Sequence, residues 1–182
     1  MKSEQQYFEQ AMSIQTYMYN MSTLKDESFI IYEAFEVPQD DFIEQLKNSA
    51  VHILAITEDW CGDAMLNNPI IRKVAEVAGI EMRAVLRDED TDLIGRYLTN
   101  GGRAIPIYLL LNDAGEVVTK WGPRAPELQE LVMTLRAQLP AKEDPAFEQA
   151  QKDMYTKILK QYVEDSTRWQ CVYESFKQSC SR

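Results

Sequence analysis

The chain predicts an α/β fold: a four-stranded mixed sheet flanked by helices, with helical extensions at both ends. Three observations carry that expectation. The aliphatic run Val51-His52-Ile53-Leu54-Ala55-Ile56-Thr57 reads as a strand buried on both faces, and a segment of helical spacing leads from it to a second strand over residues 80–86. Strand, helix, strand over that distance is a right-handed crossover with parallel strands. Further on, two β-rich runs surround the turn Asn112-Asp113-Ala114-Gly115, which marks a hairpin. The sequence thus divides into a helical N-terminal extension (1–50), a core (51–139) and a C-terminal helical extension (140–182), together one compact domain.

From the beginning, Tyr7, Phe8, Met12, Ile14, Tyr17, Met18 and Met21 recur at three- and four-residue steps without Gly or Pro, so one helix is expected from Ser3 to about Asn20. Ser22 or Thr23 would cap a second helix through Tyr32, with Asp26 and Glu27 in its first turn. Asp40 and Asp41 open a third, whose apolar side is Phe42, Ile43 and Leu46. After the first strand, Ile70, Ile71, Val74, Val77 and Ala78 mark a helix stopped by Gly79. Alternation in Ile80-Glu81-Met82-Arg83-Ala84-Val85-Leu86 suits a strand with one wetter face. Residues 88–91 then cap a helix packed through Leu93, Ile94, Tyr97 and Leu98, ended by Asn100-Gly101-Gly102. The acidic run at 88–92 lacks the central glycine and final glutamate of a calcium loop. The hairpin strands are 104–111 and 116–121, and a helix follows over 125–139 with Leu128, Leu131, Val132 and Leu135 inward. Beyond the hinge 141–145, Phe147, Ala150, Met154, Tyr155, Ile158, Leu159, Tyr162 and Val163 form the apolar stripe of one helix running past Lys177. That stripe is expected to pack back on the core, with pairing to a second copy as a homodimer as the alternative.

Composition narrows the function. With 182 residues and 45% hydrophobic content the chain can bury a sizeable core. A net charge of −10 argues against nucleic acid and anionic membranes as partners, because both bind through excess Lys and Arg. No signal-like start and no membrane-length apolar run occur, so the expected compartment is the cytoplasm. Three cysteines at uneven spacing argue against a disulfide framework and against zinc, and the single histidine, His52, has no partner at ligand spacing. No metal or organic cofactor is expected.

The chemistry falls in Glu58-Asp59-Trp60-Cys61-Gly62-Asp63-Ala64, where the buried strand becomes a helix. There the free N–H groups of the first turn favour an anion, and the form of cysteine that attacks disulfides is the thiolate. Trp60-Cys61-Gly62 followed by a helix resembles the active site of thioredoxins. The resemblance extends to Pro69 inside that helix, to the pair Ile105-Pro106, and to Trp121-Gly122 after the hairpin, and it covers roughly residues 51–139. The element order is that of the thioredoxin fold. It implies a cis peptide bond at Ile105-Pro106 beside the Cys61 sulfur, and a substrate site made of Trp60, Gly62, Ile105, Pro106 and Gly122. Two departures stand out. Ala64 replaces the second cysteine, and Ala55 replaces a buried aspartate that assists it. The site is a one-thiol version, which needs a thiol from elsewhere to finish the cycle.

Cys61 is the candidate nucleophile. The helix terminus favours its thiolate, while Glu58, Asp59 and Asp63 oppose it, so modest activation is expected. Asp63 has two readings, a proton acceptor for Cys61 or an incoming thiol, and a helix cap. The leading function is a one-cysteine thiol-disulfide oxidoreductase, exchanging with protein or small-molecule thiols and disulfides. The alternatives are a redox-inactive protein- or peptide-binding module on the same fold and a helical interaction protein in which the site is a relic. An iron–sulfur cluster shared with glutathione, as in some glutaredoxin relatives, is disfavoured by a lack of basic residues for glutathione carboxylates. Cys171 and Cys180 are read as ordinary free thiols.

Overall fold

A computed structural model describes residues 1–181. Its sheet has five strands in the order β1-β3-β2-β4-β5: β1 (Met12–Ser13), β2 (His52–Thr57), β3 (Glu81–Leu86), β4 (Ile107–Leu111) and β5 (Val117–Trp121). β2 runs parallel to β3 and antiparallel to β4, and β4 pairs antiparallel with β5. The mixed α/β sheet is the expected one, with one strand added at the edge.

That strand interrupts the expected first helix. Ser3 and Gln6 form a reciprocal cap that starts α1 (Glu4–Gln10), but Ala11 is extended and Met12–Ser13 pair with Ala84 and Arg83 of β3. Ser13 then accepts the Thr16 N–H and opens α2 (Ile14–Tyr19). A serine that can cap and a free sheet edge together outweigh the continuous helical spacing. The next helix, α3 (Lys25–Ala34), also starts late. Ser22 does not cap it; its N–H and hydroxyl both donate to Asp59, each at 2.8 Å, and tie the N-terminal extension to the turn before Cys61. Before α4 (Phe42–Ser49), Asp40 takes the Phe42 N–H.

In the core, α5 (Gly62–Ala78) carries Pro69 within it and ends on Gly79 at φ 70°, the left-handed residue expected there. α6 (Thr91–Gly95), capped by Asp90, stops short of its expected end, so Leu98 is exposed while Leu93 and Ile94 are buried. α7 (Pro126–Ala137) follows the hairpin. The expected single C-terminal helix is two, α8 (Phe147–Glu164) and α9 (Ser166–Cys180). The break is local chemistry: the Asp165 carboxylate accepts the Thr167 N–H and hydroxyl and so restarts the helix.

With that bend the apolar stripe turns inward. Met154, Ile158 and Tyr162 of α8 and Trp169, Val172, Tyr173 and Phe176 of α9 join the cluster that also holds Phe42, Ile70 and Trp121. Each such side chain withdrawn from water stabilises the fold by about 1.5–3 kcal/mol. The Trp121 indole donates to Ser175, and Tyr173 and Lys177 both bond Asp40. Across the sheet, a second cluster places Tyr7 and Phe8 of α1 against β2 and β4, where His52 stacks on Phe8 at 4.0 Å. No helix among the described residues is long and apolar enough to cross a membrane.

Candidate active site

Cys61 is the residue before the first turn of α5, at the C-terminal end of β2. Its thiol lies 3.6 Å from the Ile105 carbonyl, to which it donates, and the Ile105-Pro106 bond is cis. The structure therefore brings together the sulfur and the proline peptide, 44 residues apart in sequence. Trp60 is 52% exposed beside them, with the Arg87 guanidinium over its ring at 5.0 Å.

The electrostatics differ from the expected balance. Glu58 is turned to the Asp88 N–H and Asp59 to Ser22, so neither bears mainly on the sulfur. Burial pushes the Cys61 thiol up to about 11, helped by Asp63 and opposed by the Ala64 and Asp63 N–H groups and by Arg124. The helix terminus acts as anticipated, but burial outweighs it. The thiol is less acidic than an ordinary cysteine, so the expected modest activation does not hold at rest.

Asp63 does not cap α5. Its carboxylate accepts the Tyr162 hydroxyl at 2.8 Å and sits 2.9 Å from Arg124 Nε, an ion-pair distance without hydrogen-bond alignment. Arg124 in turn donates to Gln129. Both carboxylate oxygens are thus engaged by partners other than the thiol.

The two glycines have distinct reasons. A Cβ on Gly62 would meet Leu159 of α8 at 2.8 Å, so glycine there lets the C-terminal extension lie against the first turn of α5. At Gly122, φ is +124° and a Cβ would fall 2.2 Å from the Pro106 carbonyl oxygen. Gly122 therefore serves the packing of the chain behind Pro106. The second cis bond follows at Gly122-Pro123, whose carbonyl accepts from Asn67 of α5.

Beneath the sulfur, where Ala55 faces Tyr108 across the ladder, a buried polar chain runs from Tyr17 to Thr57, Asn68 and Tyr108. Burial raises both tyrosine pKa values, so this network stays neutral. It supplies polar groups near the position left apolar by Ala55.

Sequence reasoning missed the wall that α8 adds. A cavity of about 450 Å³ opens beside Cys61, lined by Leu24, Trp60, Val132, Leu159, Arg124 and Arg136 among others. Basic residues at the site, judged absent from sequence, are present in Arg124 and Arg136. Arg124 stands two residues after Gly122, a signal that was available. Tyr162 was visible only as one position in an apolar stripe. Among the described residues no cluster of His, Cys, Asp or Glu is suited to hold a metal.

A cysteine at the head of the helix after a parallel strand, facing the cis proline that opens an antiparallel hairpin, defines a thioredoxin-like domain. The chain belongs to the thioredoxin family: the family model described as Thioredoxin matches residues 11–140, which includes β1 and ends before α8 and α9. Among solved structures, a protein of unknown function from Pseudomonas aeruginosa is similar at 19% identity and TM-score 0.61, covering 88% of this chain and 98% of that one. An HIV epitope scaffold is similar at 15% identity and TM-score 0.61, covering 97% and 99%. At such identities the likeness concerns the fold alone. No curated protein matches the chain.

Proposed function

We propose that this protein is a thiol-disulfide oxidoreductase acting through Cys61 alone. The observation that carries the reading is the 3.6 Å approach of Cys61 Sγ to the Ile105 carbonyl, beside a cis proline and under the N–H groups of α5. In the reaction Cys61 loses its proton to solvent, and the thiolate attacks one sulfur of a disulfide. The S–S bond breaks, the departing thiolate takes up a proton, and Cys61 is left in a mixed disulfide. An external thiolate then attacks the partner's sulfur, and Cys61 leaves as thiolate. The electrons come from the external thiol, which ends oxidised in a new disulfide.

In this scheme Ile105 and Pro106 offer backbone for alignment and Trp60 a flat face beside the sulfur. Gly62 gives clearance under α8, and Gly122 keeps the Pro106 peptide in place. Asp63 holds the local charge that keeps the thiol protonated rather than accepting its proton. With burial and Asp63 pushing the thiol up to about 11, only a small fraction of Cys61 is ionised at neutral pH. That low fraction, with α8 lying across one side, favours as the second reading a redox-inactive binding module.

Trapping separates the two. After incubation with a disulfide, intact-mass and peptide mass spectrometry are expected to find a mixed disulfide on Cys61, removable by added thiol. An adduct confined to Cys171 or Cys180 would end the exchange reading and leave the binding module.

A further inference from the structure

The cavity beside Cys61 has a chemistry of its own. Its volume of about 450 Å³ falls within the roughly 300–1,000 Å³ typical of small-molecule sites. Leu24, Val132, Ile158 and Leu159 make its walls apolar, and Cys61 is among the residues that line it. Two cations line it in a chain whose net charge is −10. One of them, Arg124, is neutralised by Asp63 at 2.9 Å. The other, Arg136 in the last turn of α7, has a guanidinium with no ion-pair or hydrogen-bond partner among the described residues. Meanwhile α8 closes the Gly62–Asp63 side of the sulfur, through Leu159 against Gly62 and the Tyr162 hydroxyl on Asp63.

We propose that this cavity binds a small molecule with an apolar body and one anionic group, the anion at Arg136 and the body against α8, so that Cys61 exchanges with low-molecular-weight acidic disulfides and thiols. The covalent half rests on the exchange reading above; the binding half does not. An acidic protein repels anions at long range, so a free cation on apolar walls selects the ligand that offers both features. The balance of the exchange step is unchanged: the incoming disulfide is split, one half stays on Cys61 and the other leaves as an organic thiolate.

The test uses the full chain with Cys171→Ser and Cys180→Ser, leaving one thiol. Its reaction rates with dithiobis-nitrobenzoate (aromatic, anionic), dithiodipyridine (aromatic, neutral) and cystamine (aliphatic, cationic) are each divided by the rate with free N-acetylcysteine. The anionic aromatic reagent is expected to lead, and Arg136→Gln to lower its advantage over the neutral one about fivefold, the factor of a modest exposed ion pair. In parallel, calorimetry with naphthoate on the Cys61→Ser chain is expected to show binding that Arg136→Gln weakens. Reaction at Cys61 without preference among the reagents, together with no naphthoate binding, would overturn the cavity proposal and leave exchange standing. Naphthoate binding with no reaction at Cys61 would support the cavity and remove the exchange.

Discussion

At Cys61 two effects compete, and the structure decides between them. A helix N-terminus stabilises a nearby anion by up to ~2 kcal/mol, about one and a half pKa units. Burial and Asp63 act the other way and win, leaving the thiol near 11. Alkylation of Cys61 should therefore rise with pH toward a midpoint near 11, without a plateau below neutral. Asp63 gives the sharper test. If its charge keeps the thiol protonated, Asp63→Asn lowers the midpoint and speeds alkylation at neutral pH several-fold. If it serves instead as the proton acceptor, the same variant is slower. The reactive residue was legible in the sequence because Trp60-Cys61-Gly62 and Ile105-Pro106 are local motifs. Its titration was not, because it depends on tertiary neighbours: Cys61 packs against the second cluster and Ile105, and the Asp63 charge beside it is held by Tyr162, 99 residues on.

Elements tell a similar story. Strand and helix identities in the core follow from short apolar runs and caps, and β2, α5, β3 and the hairpin lie where the sequence puts them. The failures are breaks: Met12–Ser13 leaves a helical pattern to pair with β3, and Asp165 divides the C-terminal helix. Both turn on whether a capping side chain prevails over the flanking periodicity, which the β3 edge settles at Met12–Ser13 and the local bonds of Thr167 to Asp165 settle in the C-terminal extension. Two junctions are open to mutation. Gly122→Ala must place a Cβ against the Pro106 carbonyl at positive φ, and should cost at least about 2 kcal/mol in urea unfolding. Asp40 holds α9 through Tyr173 and Lys177. Burial pushes its carboxyl up, but the bonds from Tyr173, Lys177 and the Phe42 N–H bring it below the usual range. With the folded pKa lowered, its stabilisation is present above the unfolded carboxylate pKa of about 3.9 and is lost as pH falls through the folded value. Asp40→Ala should cost about 1 kcal/mol near neutrality, and less in acid.

For the whole molecule, the extensions supply part of the core. Tyr17, Met18, Phe42, Tyr162 and Phe176 sit in one cluster with Ile53 and Val74, so removal of residues 140–182 should abolish a cooperative unfolding transition. Titration acts at the same scale. Cys61 and Cys180, both pushed up to about 11, and the buried Tyr17, Tyr108 and Tyr162 hold protons that the unfolded chain gives up earlier. Raised folded values mean the stabilisation is full below the unfolded pKa values of about 8.5–10 and is lost as pH rises through the folded ones. Urea midpoints should fall with rising pH in that alkaline window, and less steeply in Cys61→Ala. The overall architecture was readable because strand order follows from right-handed crossovers; the cavity was not, since it forms where α7, α8, the start of α5 and Leu24 of the N-terminal extension meet.

Turnover of a low-molecular-weight disulfide by the chain with Cys171→Ser and Cys180→Ser, compared with the same chain carrying Cys61→Ser in addition, addresses the exchange chemistry most directly. Sustained reduction in the presence of excess thiol by the first, at a rate above the uncatalysed exchange, and none by the second is the expected result. Equal rates in the two would mean that the sulfur facing Pro106 carries out no exchange.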